Sequence, residues 1–96
     1  MIDQYIKNNK NFIFLIKDKK INNKKLNSNQ LFIIINALKF YDEYKISPSI
    51  KMLIFYIKKN FGQKYGNIKY IKNNFKNLNL IYKISNLNNN INCFLD

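Results

Sequence analysis

Apolar residues recur at helical spacing in three stretches of the chain, each bounded by residues that start or stop helices. The first covers 28–44, with Ser28 or Asn29 as its N-cap. At 100° per residue only the sector of Asn36, Lys39 and Glu43 is polar. That predicts the central helix of a small bundle, or one that also packs on a partner subunit. The second opens with Ser47 as N-cap and Pro48 at the first helical position, and continues to Phe61. Ile50, Leu53, Ile54, Ile57 and Phe61 share one of its faces. The third covers 67–78, with Ile68, Ile71, Phe75 and Leu78 on one side and lysines and amides on the other. In the intervening turn, 62–66, Gly62 stops a helix and Gly66 suits a positive-φ position.

The remaining apolar runs are short and rich in aromatic and β-branched residues, so they read as strands. Residues 12–16, Phe-Ile-Phe-Leu-Ile, predict a buried strand. Residues 80–84 and 91–95 flank the amide-rich 86–90 and predict a two-stranded hairpin, entered through Asn79 in a left-handed conformation. Ahead of these, 1–11 holds Ile2, Tyr5 and Ile6 at helical spacing, enough for one or two turns, and 17–27 reads as a charged surface connection. The expected organisation is an N-terminal segment, 1–27, joined to a domain, 28–96, in one globular unit. The fold class is α+β and mostly helical, a three-helix core with a C-terminal hairpin. Met52, Phe55 and Tyr56 lie outside the apolar stripe of the second helix. They pack on the 12–16 strand or form an exposed patch for a partner; packing is the preferred expectation, because three exposed together would need a reason.

Length and charge sharpen this picture. Ninety-six residues suffice for one core, and 47% hydrophobic residues argue for a packed chain. The formal net charge is +12, and all 17 basic residues are lysines. An AT-rich genome accounts for lysine in place of arginine, but not for only five acidic residues. The excess favours a polyanionic partner. Without arginine, bidentate contact to guanine is lost, so phosphate contacts should dominate and binding should weaken steeply with salt.

A helix-turn-helix followed by a hairpin, in a small basic chain, is the outline of a DNA reader. On the third helix Lys69, Tyr70, Asn73, Lys76 and Asn77 lie opposite the apolar face, with Lys72 at its border; Lys64 precedes it in the turn and Lys83 lies on the hairpin. Ammonium groups suit phosphates, and amides can pair with adenine edges. The order of segments resembles the winged-helix domains of plasmid and phage replication proteins and related small regulators. The likeness rests on the 12–16 run, Leu26-Asn27-Ser28, Pro48-Ser49-Ile50-Lys51-Met52-Leu53, and Asn67-Ile68 through Phe75 into Leu78-Asn79-Leu80-Ile81. It implies duplex DNA binding through the third helix, carried here by Lys69, Tyr70, Asn73 and Lys76.

Other chemistries find little support in the residues. There is no histidine and a single cysteine, Cys93, so no internal disulfide, metal site, cofactor or enzymatic role is expected. Asp42 and Glu43, adjacent on a helix, point about 100° apart and read as solvated. No run spans a bilayer and no signal peptide is evident, so a cytoplasmic protein is expected. Homodimerisation through the 28–44 helix and the N-terminal segment would serve two-fold DNA sites. The alternative is a winged-helix module that docks a protein through Met52, Phe55 and Tyr56; RNA binding would instead use Tyr70 or Tyr82 as stacking platforms.

Overall fold

A computed structural model describes residues 2–16 and 18–87. Among the described residues six helices follow in the order α1 (Ile2–Lys7), α2 (Lys10–Ile16), α3 (Ser28–Tyr44), α4 (Ile50–Phe61), α5 (Ile68–Asn74) and α6 (Asn79–Ser85). A small antiparallel hairpin, β1 (Lys20–Ile21) and β2 (Lys24–Lys25), sits between α2 and α3. Helix α3 is the axis, touching α1, α2, α4, α5 and α6. Its near-continuous apolar surface explains that position: Phe32, Ile33, Ile34, Ile35, Ala37 and Leu38 are all buried. Leu53, Ile57, Ile71, Phe75, Ile81, Ile84 and Ile16 close around them as one core.

Caps set the helix starts more finely than the periodicity does. Asn27, not Ser28 or Asn29, caps α3, accepting from the Gln30 N–H at 2.8 Å while the Gln30 side chain accepts from the Asn27 N–H at 2.9 Å. Ser49, not Ser47, caps α4. Pro48 therefore lies outside the helix, buried, where its carbonyl accepts the Tyr82 hydroxyl at 2.8 Å. Asn36, expected in a polar sector, is fully buried: α1 covers that side, and the amide donates to the Phe32 carbonyl at 2.8 Å. A buried amide is tolerable only when so satisfied.

Two predicted strands are helices. In α2, Ile16 is buried and Phe12 packs on the core four residues earlier, whereas Phe14 is 70% exposed. A strand would have placed Phe12, Phe14 and Ile16 on one face; burial follows the helical period instead. The first strand of the expected hairpin, 80–84, is α6, with Ile81, Ile84 and Ser85 turned inward against α3. The Ser85 hydroxyl donates to the Ile81 carbonyl, an intrahelical bond that a strand would not offer. Both segments lie against α3 rather than beside a partner strand, and tertiary packing overrides β-propensity. Asn79 accordingly begins α6, and the left-handed asparagine is Asn86, at its end. The second strand, 91–95, and Cys93 lie outside the described residues.

The third helix is shorter than expected: α5 is capped by Asn67 and gives way to extended backbone at Phe75. Gly62 ends α4 at φ 93°. Gly66 does not have the positive φ expected of it; its need is spatial, since a Cβ there would fall on the Lys58 backbone. Residues 17–27, expected as plain connection, contain the hairpin, and Asn22 and Asn23 at φ 53° and 66° are the two central residues of its turn. Positive φ at both is the type I′ signature, matched to strand twist. Among the described residues no helix is long and apolar enough to cross a membrane.

Candidate nucleic-acid interface

Helix α5 is oriented by what it buries. Ile71 enters the core, and Tyr70 joins an aromatic cluster in which its ring meets Tyr65 edge-on at 5.3 Å and Phe32 at 6.4 Å. Tyr5 and Phe61 extend the cluster to the far side of Phe32, each centred about 5 Å from it. The Tyr70 hydroxyl donates to Asn29 Oδ1 at 2.8 Å, and burial pushes its pKa up to about 12. Anchored on that side, the helix turns Lys69, Lys72 and Asn73 to solvent within one sector of about 100°. Lys76 and Asn77 follow, both exposed.

Beyond α5 the surface becomes concave. A cleft of about 640 Å³ is walled by Asn73, Lys76 and Asn77 on one side, Lys83 of α6 on another, and Lys20 and Asn22 of the hairpin on a third. Among the described residues no carboxylate lines it. Gln30 forms part of the floor: its Nε2 donates to the Asn74 carbonyl at 3.1 Å while its Oε1 holds the Asn27 N–H. One side chain thus ties the end of α5 to the segment that follows the hairpin.

Of the residues singled out from sequence, Asn73, Lys76, Asn77 and Lys83 line the cleft, and Lys69 and Lys72 are exposed on α5 outside it. Lys64 is set apart in the turn, its ammonium 5.5 Å from the centre of the Tyr65 ring. Tyr70 is half-buried and committed to Asn29, and Tyr82 is buried beneath Pro48. The hairpin lysine and amide were missed, because a charged connection carries no periodic signal linking residue 20 to residue 76.

At the other end of α3 the surface is apolar. Met52 and Phe55 of α4 are 44% and 70% exposed, and with Tyr56, Phe40, Tyr44 and Ile46 they line a groove of about 550 Å³ rimmed by Lys51 and Lys59. The preferred expectation, packing on 12–16, is not met: Tyr56 stands edge-on to Phe40 at 5.4 Å, and α2 packs instead on α1, α3 and α6. Helix α3, expected as a dimer surface, is covered along most of its length and exposes mainly Tyr41, Asp42, Glu43 and Tyr44 near this groove. The Tyr44 phenol is held above its usual pKa chiefly by its hydrogen bond to Glu43, and Tyr56 chiefly by burial. The Asp42–Lys45 pair, 3.9 Å apart and about three-quarters exposed, contributes little. No group of three histidine, cysteine, aspartate or glutamate side chains suited to a metal ion occurs among the described residues.

Comparison of the chain with protein-family models, characterised proteins and solved structures found no match.

Proposed function

We propose that this protein binds duplex DNA, without catalysing a reaction on it, through the exposed face of α5 and the cleft beside it. The observation that carries this reading is the one-sided construction of α5. Tyr70 and Ile71 are consumed by the fold, so Lys69, Lys72 and Asn73 project together ahead of Lys76, with no carboxylate on the cleft wall among the described residues to neutralise them. Such a surface meets phosphates through lysine and leaves amides for base edges. The α4–turn–α5 unit serves as the helix-turn-helix of a winged-helix-like protein. Residues 80–84 are helical, so the reading draws no support from a wing there. A regulator or replication accessory of a mobile element is the process that the sequence resemblance implies.

Binding to an AT-rich duplex across a salt series tests this, with wild type beside Lys69→Ala/Asn73→Ala/Lys76→Ala. The expected result is steep weakening with salt and a large defect in the variant. Equal binding by both proteins would remove α5 as the reader. RNA binding by base stacking is disfavoured, because its two platforms, Tyr70 and Tyr82, are engaged within the fold. A second reading, a protein-docking module, is favoured by the exposed groove at Met52 and Phe55. Loss of duplex binding at physiological salt would select it.

A further inference from the structure

The β1–β2 hairpin is poorly explained by stability alone. Its register sets Lys20 directly opposite Lys25 and Ile21 opposite Lys24. Like charges facing across a strand pair destabilise it. All four residues except Ile21 are exposed; of the two exposed charges that precede them, Lys19 adds to theirs and Asp18 offsets one, which leaves a net positive ribbon. Yet the ribbon is held in place: Ile21 and Leu26 pack on the core, the Lys19 N–H donates to the Ile16 carbonyl, and the turn is the tight type that fits strand twist. A rigid, self-repelling cationic ribbon gains from an anion placed between its charges.

The cleft shows where that anion would lie. Lys20 and Asn22 face Asn73, Lys76, Asn77 and Lys83 across it, and Gln30 fixes the separation of the walls by bridging Asn27 to Asn74. Lysines from three separate segments line one cavity of mixed polar and apolar lining, with amide side chains among them. That is the composition of a backbone clamp for a phosphodiester, with lysines as point charges and amides as hydrogen-bond donors.

We propose that the hairpin is the second jaw of the DNA-binding surface: Lys20 and Asn22 close on the sugar–phosphate backbone of the strand that α5 engages, with Lys76 and Lys83 on the opposite walls. This rests on the reading of α5 as the duplex-binding helix, and it adds a site from a part of the chain 50 residues away in sequence. Gln30 is a positioning residue here, acting through the two segments it joins.

Lysine acetylation footprinting of the wild-type protein, with and without a short AT-rich duplex and read lysine by lysine by mass spectrometry, tests the proposal. Protection of Lys20, Lys76 and Lys83 together with Lys69 and Lys72 is expected, with Lys51 and Lys59 at the apolar groove still reactive. Protection of Lys69 and Lys72 while Lys20 and Lys83 stay reactive would overturn the hairpin proposal and leave the α5 reading standing. The reverse pattern would remove α5 as the reader and overturn the proposal with it, leaving only the cleft in contact with DNA. Uniform protection, or none, would overturn both. As a quantitative arm, Lys20→Gln should lower the salt slope of binding by about 0.9, and Lys20→Arg should restore it. An unchanged slope in Lys20→Gln would also overturn the proposal.

Discussion

At the N-terminal end of α3 the exposed side chains are lysines and amides around a cleft; about 20 Å along the same helix they are Phe55, Met52, Ile46 and Tyr44 around a groove. The two cavities are similar in size and differ in chemistry, since only the cleft carries amides and a mixed polar lining. They also differ in how they are built. The cleft is braced by Gln30, by Asn67 capping α5, by the half-buried ring of Tyr70 and by the buried ring of Phe32. The groove is walled by the rings of Phe40, Tyr44 and Tyr56, packed on one another. The acidic pair Asp42–Glu43 lies on the helix end that feeds the groove, whereas among the described residues no carboxylate lines the cleft. In a chain of net charge +12, that distribution separates a surface fit for a polyanion from one fit for apolar contact.

Substitutions can break or sharpen this contrast. The largest effect should come from Phe32→Ala, which removes a fully buried ring shared by α3 and the aromatic cluster. A loss of about 3–5 kcal/mol in denaturant unfolding is expected, disabling both surfaces at once. Next, Lys69→Gln/Lys72→Gln/Lys76→Gln should reduce the salt slope of duplex binding by about 2.7, read by anisotropy titration, with little change in stability. Gln30→Ala removes no charge, yet it should cost about 1 kcal/mol and weaken duplex binding, because both bonds of its side chain are lost. Phe55→Ser should shift stability by less than about 0.5 kcal/mol and leave duplex binding unchanged, since that ring is 70% exposed. The smallest effect concerns pH. Tyr70 is neutral when protonated, and its pKa rises from 10.0 to about 12 on folding, so its contribution is intact below pH 10 and is lost as pH climbs through 12. Tyr70→Phe should flatten that part of the stability profile in alkaline melts.

The long helices were legible from pattern, though their caps lie one or two residues from the expected positions. Helix α3 announces itself by an apolar surface too broad for a peripheral helix, and α4 by a one-sided stripe ended at Gly62; α5 was legible as a helix but is shorter than expected, with Ile68 of its apolar stripe 43% exposed and Leu78 beyond its end. The short apolar runs were not legible. Phe12 to Ile16 and Leu80 to Ile84 satisfy both periods over five residues, and only their position against α3 decides between them. The exposed sector of α5 could be read from spacing only in part: Lys69, Lys72 and Asn73 are exposed as expected, but Tyr70, one position from Lys69, was expected beside them and is half-buried against Tyr65 and Asn29. The third wall of the cleft could not. Asn22-Asn23 is a weak hairpin signal beside Asn-Gly, and nothing local to Lys20 specifies that it will face Lys83.

The turn between α4 and α5 has a consequence for how this chain can change over time. Lysine, asparagine and isoleucine, which dominate it, take AT-rich codons, whereas glycine codons begin with two guanines. Glycine is correspondingly scarce: the chain has only two, both in this turn. Gly62 has open space around it but a backbone, φ 93° and ψ 176°, that other residues scarcely adopt. Gly66 lacks that positive φ but has no room beside Lys58. One position requires glycine by torsion and the other by crowding, so the junction that leads into α5 is closed to side chains at two points for two different reasons.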